Sequence, residues 1–196
     1  MPDPSSFSPM QQQKALWLST TAFTLCFAVW TIFSIIGITI KEELGLTEFE
    51  YGVLIATPIL TGSLVRLILG VWTERYGGRL VFSLQMLFTG LATWALTWAD
   101  SYAGFLLAAL GVGMAGGSFI IGVAYVSKWF PAQRQGTALG IFGMGNVGAA
   151  VTKFIAPFIL VAWGWQAVAQ IWAVGIALMG VVFLLVARDD PDFEAR

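Results

Sequence analysis

The chain has 196 residues, of which 58% are hydrophobic and 11% charged, with a formal net charge of −1 and a mean hydropathy of +0.80. These values exclude an ordinary soluble domain and a basic nucleic-acid-binding surface, and place the chain among polytopic membrane proteins. With one cysteine, Cys26, and no histidine, no internal disulfide, clustered metal site or His-based catalytic centre is expected, and no cofactor is implied.

Residues 1–13 are polar, contain Pro2, Pro4 and Pro9, and predict disorder within an N-terminal tail of residues 1–14. Residues 15–40 run without a charge and exceed a hydrocarbon core of ~30 Å, which predicts a first span kept in the mature protein rather than a signal peptide. Residues 41–50 form a short acidic loop. Residues 51–72 predict a second span broken by one charge, Arg66, and residues 74–79 a tight polar turn. Residues 80–98 predict a third span, Asp100 marks a very short loop, and the glycine-rich run 102–127 predicts a fourth. After a loop at 128–135 come a fifth span, 136–162, a turn at 164–166 with Trp163 and Trp165 at interfacial depth, and a sixth span reaching Ala187. The expectation is an all-α bundle of six transmembrane helices over 15–187, with tails at 1–14 and 188–196.

Basic residues set the orientation. Seven (Lys14, Arg75, Arg79, Lys128, Arg134, Arg188, Arg196) fall on one side and Lys41 alone on the other. This predicts that both termini are cytoplasmic. Arg66 and Lys153 lie inside spans, whereas all eleven acidic residues lie in loops or tails. The membrane interior therefore holds two cations and no carboxylate.

The fifth span opens with GTALGIFGMGNVGAAVTKFIAP, residues 136–157, with five glycines. At about 100° per residue, Gly136, Gly140 and Gly143 share one face. Phe142, Asn146 and Lys153 share a second, and Gly145 and Gly148 point elsewhere. Glycines in a bilayer let helix backbones approach closely, while an Asn and a Lys at that depth mark a pathway. Arg66 lies eight residues before Glu74, about 12 Å from the cytoplasmic surface, and Asn146 lies at a similar depth from the same side. Gly62 and Gly70 flank Arg66 at i−4 and i+4 and leave space on its face. A guanidinium keeps its charge, and its planar fork fits a flat oxyanion bidentately. For Lys153, anion binding, snorkelling and proton carriage all stay open.

The run GTALGIFGMGNVG, with GGSFIIGVAYVSKWFPAQRQG before it, resembles the glycine-rich signature of the nitrate/nitrite porter (NarK-like) family of the major facilitator superfamily. GVWTERYGGR, residues 70–79, resembles the superfamily signature G-x-L-A-D-R-x-G-R-R. Gly70, Arg75, Gly77 and Arg79 match; Glu74 stands in place of Asp and Trp72 in place of Leu. The resemblance implies inverted three-helix repeats and a conformational latch at Gly70, Glu74, Arg75, Gly77 and Arg79 on the cytoplasmic side. It implies substrate binding by Arg66, in the context TGSLVRLILG, by Asn146, Gly143 and Gly145, and by Phe119, where the family has an aromatic that closes over substrate. It covers only the family's N-terminal half. A truncated chain, a split-gene half and a half that pairs with a second copy stay open, with RDDPDFEAR similar to the start of the central linker.

The expected function is secondary transport of nitrate or nitrite across the inner membrane, coupled to protons with Lys153 as the candidate coupling group. An exchanger, and a non-transporting assembly or regulatory subunit derived from a transporter half, are the alternatives. No enzyme activity is expected, and the partners expected are the anion, protons, a second half and lipid.

Overall fold

Helix begins at Pro9 rather than after the polar tail, because a complete cap precedes it. Ser8 N donates to Gln11 Oε1 at 3.1 Å and Gln11 N to Ser8 Oγ at 3.3 Å, a reciprocal capping box with Pro9 at the first helical position. The disorder expected over 1–13 is thus corrected for residues 9–13. The computed structural model describes residues 7–189 and 193. Most of the expected tail at 188–196, and residues 1–6, lie outside the described residues.

Helix α1 (Pro9–Trp30) and helix α2 (Phe33–Leu44) form one run with a break at Thr31. There the Thr31 hydroxyl donates back to Phe27 O at 3.0 Å and Ala28 O at 3.2 Å, a local competition that bends helices. Gly45, at φ 64, ends α2, and a second capping box, Thr47 with Glu50, starts α3 (Glu48–Tyr76). The loop expected at 41–50 thereby shrinks to three residues. The turn expected at 74–79 is a single residue, Gly77, whose φ of 84 suits glycine. Helix α4 (Gly78–Ala95) follows at once.

Helices α5 (Tyr102–Gly113) and α6 (Ser118–Trp129) are joined through a 3₁₀ segment, Met114–Gly117. The next run has the same design: α7 (Ala132–Gly143), a 3₁₀ segment Met144–Val147, and α8 (Gly148–Val186). Helix therefore covers most of the expected loop at 128–135, leaving Phe130 and Pro131 between α6 and α7.

Among the described residues, five helical runs are long and apolar enough to cross a membrane, where six are expected from the sequence. The difference lies at Gly164, which interrupts α8 with φ 83 and ψ 170. A straight helix of 55 residues, the length of the fifth run, would extend about 80 Å. Instead, Trp172 Nε1 donates to Thr152 Oγ1 at 2.9 Å across 20 residues of sequence, so the backbone folds back at Gly164. Thr152 Oγ1 donates in turn to Ala28 O at 2.7 Å, which ties both arms to α1.

Close packing on α1 comes from glycines other than the aligned three. A methyl group at Gly148 would collide with Thr24 O, and one at Gly145 with the Phe23 ring. Gly136, Gly140 and Gly143 have nothing within 4 Å of where a methyl would sit. The shared face read from the sequence is therefore open within this bundle, and the two glycines outside it make the contact. The far arm of α8 packs closely on α4 through Gly90 of α4 and Gly180 of α8, where an added carbon would lie 3.1 Å from Ala173 O and 3.2 Å from Ser83 O respectively.

Candidate functional site

Arg66 sits on α3 facing the 3₁₀ segment between α5 and α6. Its Nε donates to Gly116 O at 3.0 Å, and its Cζ lies 5.7 Å from the centroid of the Trp30 ring. No carboxylate pairs with it among the described residues. The space that the sequence assigns to Gly62 is filled. A carbon added there would lie 2.9 Å from Trp30 Nε1 and 3.0 Å from Gly113 O. Gly70 instead faces Ile120 at 3.4 Å. The glycine at i−4 thus makes room for an indole and a neighbouring backbone rather than for an anion.

The 3₁₀ geometry of Met114–Gly117 removes regular i→i+4 partners from nearby carbonyls, and side chains take their place. Arg66 meets Gly116 O, and the buried Gln85 donates from Nε2 to Met114 O at 3.1 Å and to Thr89 Oγ1 at 3.2 Å. Gln85 Oε1 accepts from Cys26 Sγ at 3.8 Å. Three residues beyond Gly116, Phe119 is 40% exposed and leans on Phe23 and Phe142, with ring centroids 5.7 and 6.1 Å away. Phe23 stacks on Phe142 at 4.7 Å and fills the notch at Gly145. Arg66 is thereby joined to the Gly143–Asn146 segment through Gly116, Phe119 and Phe23.

Asn146 and Lys153 are both exposed at the surface of the bundle. Asn146 Nδ2 donates to Gly143 O at 2.8 Å, back across the 3₁₀ turn. Lys153 makes no hydrogen bond or ion pair among the described residues. Gly143 is half-buried with open space before it. Trp30, Gly116 and Gln85 are absent from the sequence-based set. The one sequence signal for them was the crowding of small residues in GVGMAGG beside a tryptophan mid-way along the first run.

The residues read as a latch gather at one end of the bundle. Glu74 Oε2 accepts from Lys128 Nζ at 3.0 Å. Arg79 donates from Nε to Leu184 O at 2.9 Å and from Nη1 to Asp189 Oδ2 at 3.4 Å. Arg75 lies over the Tyr76 ring at 5.3 Å. Tyr125, against which Gly78 packs, donates its hydroxyl to Arg188 O at 2.6 Å. The α3–α4 corner is therefore tied to α6 and to the end of α8, through partly exposed ion pairs worth at most about 1 kcal/mol each.

Residues 18–196 match the Major Facilitator Superfamily. The chain is 46% identical over 181 residues to a Thermus thermophilus protein named "Probable nitrate/nitrite antiporter NarK1", covering 86% of this chain and 41% of that one. It is 31% identical to the "Nitrite extrusion protein" of Bacillus subtilis, covering 89% and 44%. It is 32% identical to the "Probable nitrate/nitrite transporter NarK2" of Mycobacterium tuberculosis, covering 93% and 47%. Among solved structures, an inward-facing, unoccupied bacterial homologue of the human lysosomal transporter Spinster superposes with a TM-score of 0.83 at 20% identity, over 94% of this chain and 45% of that one. The chain spans less than half the length of these curated relatives. It belongs to the major facilitator superfamily, a family of transporters rather than enzymes, and the relatives just given are named for nitrate or nitrite transport.

Proposed function

We propose that this chain is one half of a twelve-helix secondary transporter for nitrate and nitrite, and that Arg66 holds the anion. The carrying observation is a guanidinium within an apolar helix whose Nη donors have no carboxylate partner among the described residues. A flat oxyanion satisfies such a fork with two parallel charge-assisted bonds. The names of the relatives support the same substrate class. Asn146, Phe119, Gly143 and Gly145 complete the site on this side, with Phe119 closing over the anion.

In this reading residues 15–187 cross the inner membrane six times as two inverted three-helix repeats, with the fold-back at Gly164 separating the last two crossings. Residues 1–14 and 188–196 are cytoplasmic, the latter the start of a linker. The second half, or a second copy, covers the outward face of α3, where Leu64, Leu67 and Val71 are exposed, and the open face of Gly136, Gly140 and Gly143. Gly70, Glu74, Arg75, Gly77 and Arg79 latch the cytoplasmic side as the halves rock. Cysteine labelling at Glu48 tests the topology, with label entering from the periplasmic side expected and label from the cytoplasmic side alone contradicting it.

Coupling to protons is assigned to Lys153, the titratable cation on the same span as Asn146. Nitrate/nitrite exchange is the second reading, favoured by the name of the Thermus relative. The test is nitrate uptake into proteoliposomes holding the complete assembly. Uptake that is lost in Arg66→Ala is expected; normal uptake in that variant overturns the assignment.

A further inference from the structure

We propose that Trp30 is a positioning residue for Arg66, and that with the Gly116 carbonyl it leaves the arginine one anion-binding edge, Nη1–Nη2. The inference rests on the reading of Arg66 as the anion-binding group.

A guanidinium offers five N–H donors and two edges able to grip an oxyanion with paired bonds, one including Nε and one between the two Nη atoms. Here Nε is already committed to Gly116 O at 3.0 Å. The side edge is therefore lost as a fork, and the end edge remains. The indole of Trp30 borders the group, its centroid 5.7 Å from Arg66 Cζ, within the ~6 Å reach of a cation–π contact.

Trp30 is itself held on three sides. Its Nε1 donates to Pro58 O at 2.9 Å. Carbons added at Gly62 and Gly116 would lie 2.9 Å from its Nε1 and 2.8 Å from its Cε2. Phe27 meets its ring edge at 5.2 Å. The indole thus lies across the point where α3 and the Met114–Gly117 segment approach backbone to backbone. Both glycines are required by its presence. An arginine loses rotamer freedom when it binds, and a ring that fixes it beforehand lowers that cost.

A fixed end edge recognises two oxygens at a set spacing, whereas an unfixed cation attracts any small anion. Trp30 therefore contributes discrimination between nitrate and a monatomic halide as well as affinity. The experiment uses the protein purified in mild detergent with any partner half it carries, and measures nitrate affinity and the nitrate-to-bromide affinity ratio. Trp30→Leu is expected to weaken nitrate about tenfold and bromide much less, and Trp30→Phe, which keeps a ring face, to stay within about threefold of wild type. If Trp30→Leu does not fold, stepwise fluorination of the Trp30 ring withdraws its face potential without changing the packing, and nitrate affinity should fall with each fluorine. Unchanged affinity and ratio in Trp30→Leu, equal losses in the Leu and Phe variants, or a flat fluorination series would each overturn the positioning role. Arg66→Gln is measured beside them. Retained nitrate affinity there overturns the reading of Arg66 itself, whereas lost affinity there with indifferent Trp30 variants overturns only this inference.

Discussion

Arg66 and Lys153 are the two cations set within apolar helices, and the fold treats them in opposite ways. Arg66 has its Nε on a backbone carbonyl and its guanidinium within cation–π reach of an indole. Lys153 stands exposed and makes no hydrogen bond or ion pair among the described residues. A charge inside a membrane is expensive unless something lines it. The held cation sits where geometry can be enforced, which suits recognition of a shaped anion. The bare one keeps its freedom, which suits a face completed by a second half in the proposed assembly.

The largest expected effect lies on the held cation. Arg66→Ala removes a charge-assisted fork, and nitrate binding should weaken about a hundredfold or more by isothermal titration or a radiolabelled competition assay. The glycines around the bare cation divide in the same way. Gly148→Leu forces a side chain into Thr24 O and should destabilise the bundle by about 1–3 kcal/mol, read as a lower unfolding temperature in detergent. Gly140→Leu meets open space and should leave that temperature unchanged while weakening transport, because in the proposed assembly the second half covers that face. An unfolding temperature lowered equally by both would erase the distinction between packed and open glycines.

Smaller effects follow for the polar groups on the fifth run. Asn146→Ala removes a neutral hydrogen-bonding amide and should cost about 0.5–1.5 kcal/mol of nitrate binding, several-fold in affinity. Lys153→Gln should change nitrate binding least, by no more than about threefold, yet abolish accumulation driven by an imposed pH gradient. Proton-driven accumulation that survives in Lys153→Gln removes the coupling role and favours exchange.

The all-helical, apolar character of the chain was legible because uncharged stretches of helix length are rare outside membranes, and Arg66 stood out because a permanent charge in such a stretch has no cheap alternative. The ends were less so. Ser8 and Gln11 cap α1 earlier than the polar composition of the tail suggests, and a capping box is a pattern of two residues inside a noisy segment. The crossing count differed because hydrogen bonding continues on both sides of Gly164 although the backbone reverses there. At the site, periodicity gave the faces of Gly136, Gly140 and Gly143 correctly relative to one another but not which face meets α1. A 3₁₀ turn at Met144–Val147 and the position of α1 decide that, and neither is written in the helix repeat itself. Trp30 was invisible as a partner of Arg66 because the two are brought together only by the close approach that Gly62 and Gly116 allow.

The most direct test of the central claim is the nitrate affinity of Arg66→Lys in the assembled protein. Lysine keeps the positive charge and loses the planar fork and the Nε bond to Gly116 O. If the anion is held by a positioned guanidinium edge, affinity should fall at least about tenfold. Affinity within about twofold of wild type would contradict the account, because charge alone would then suffice.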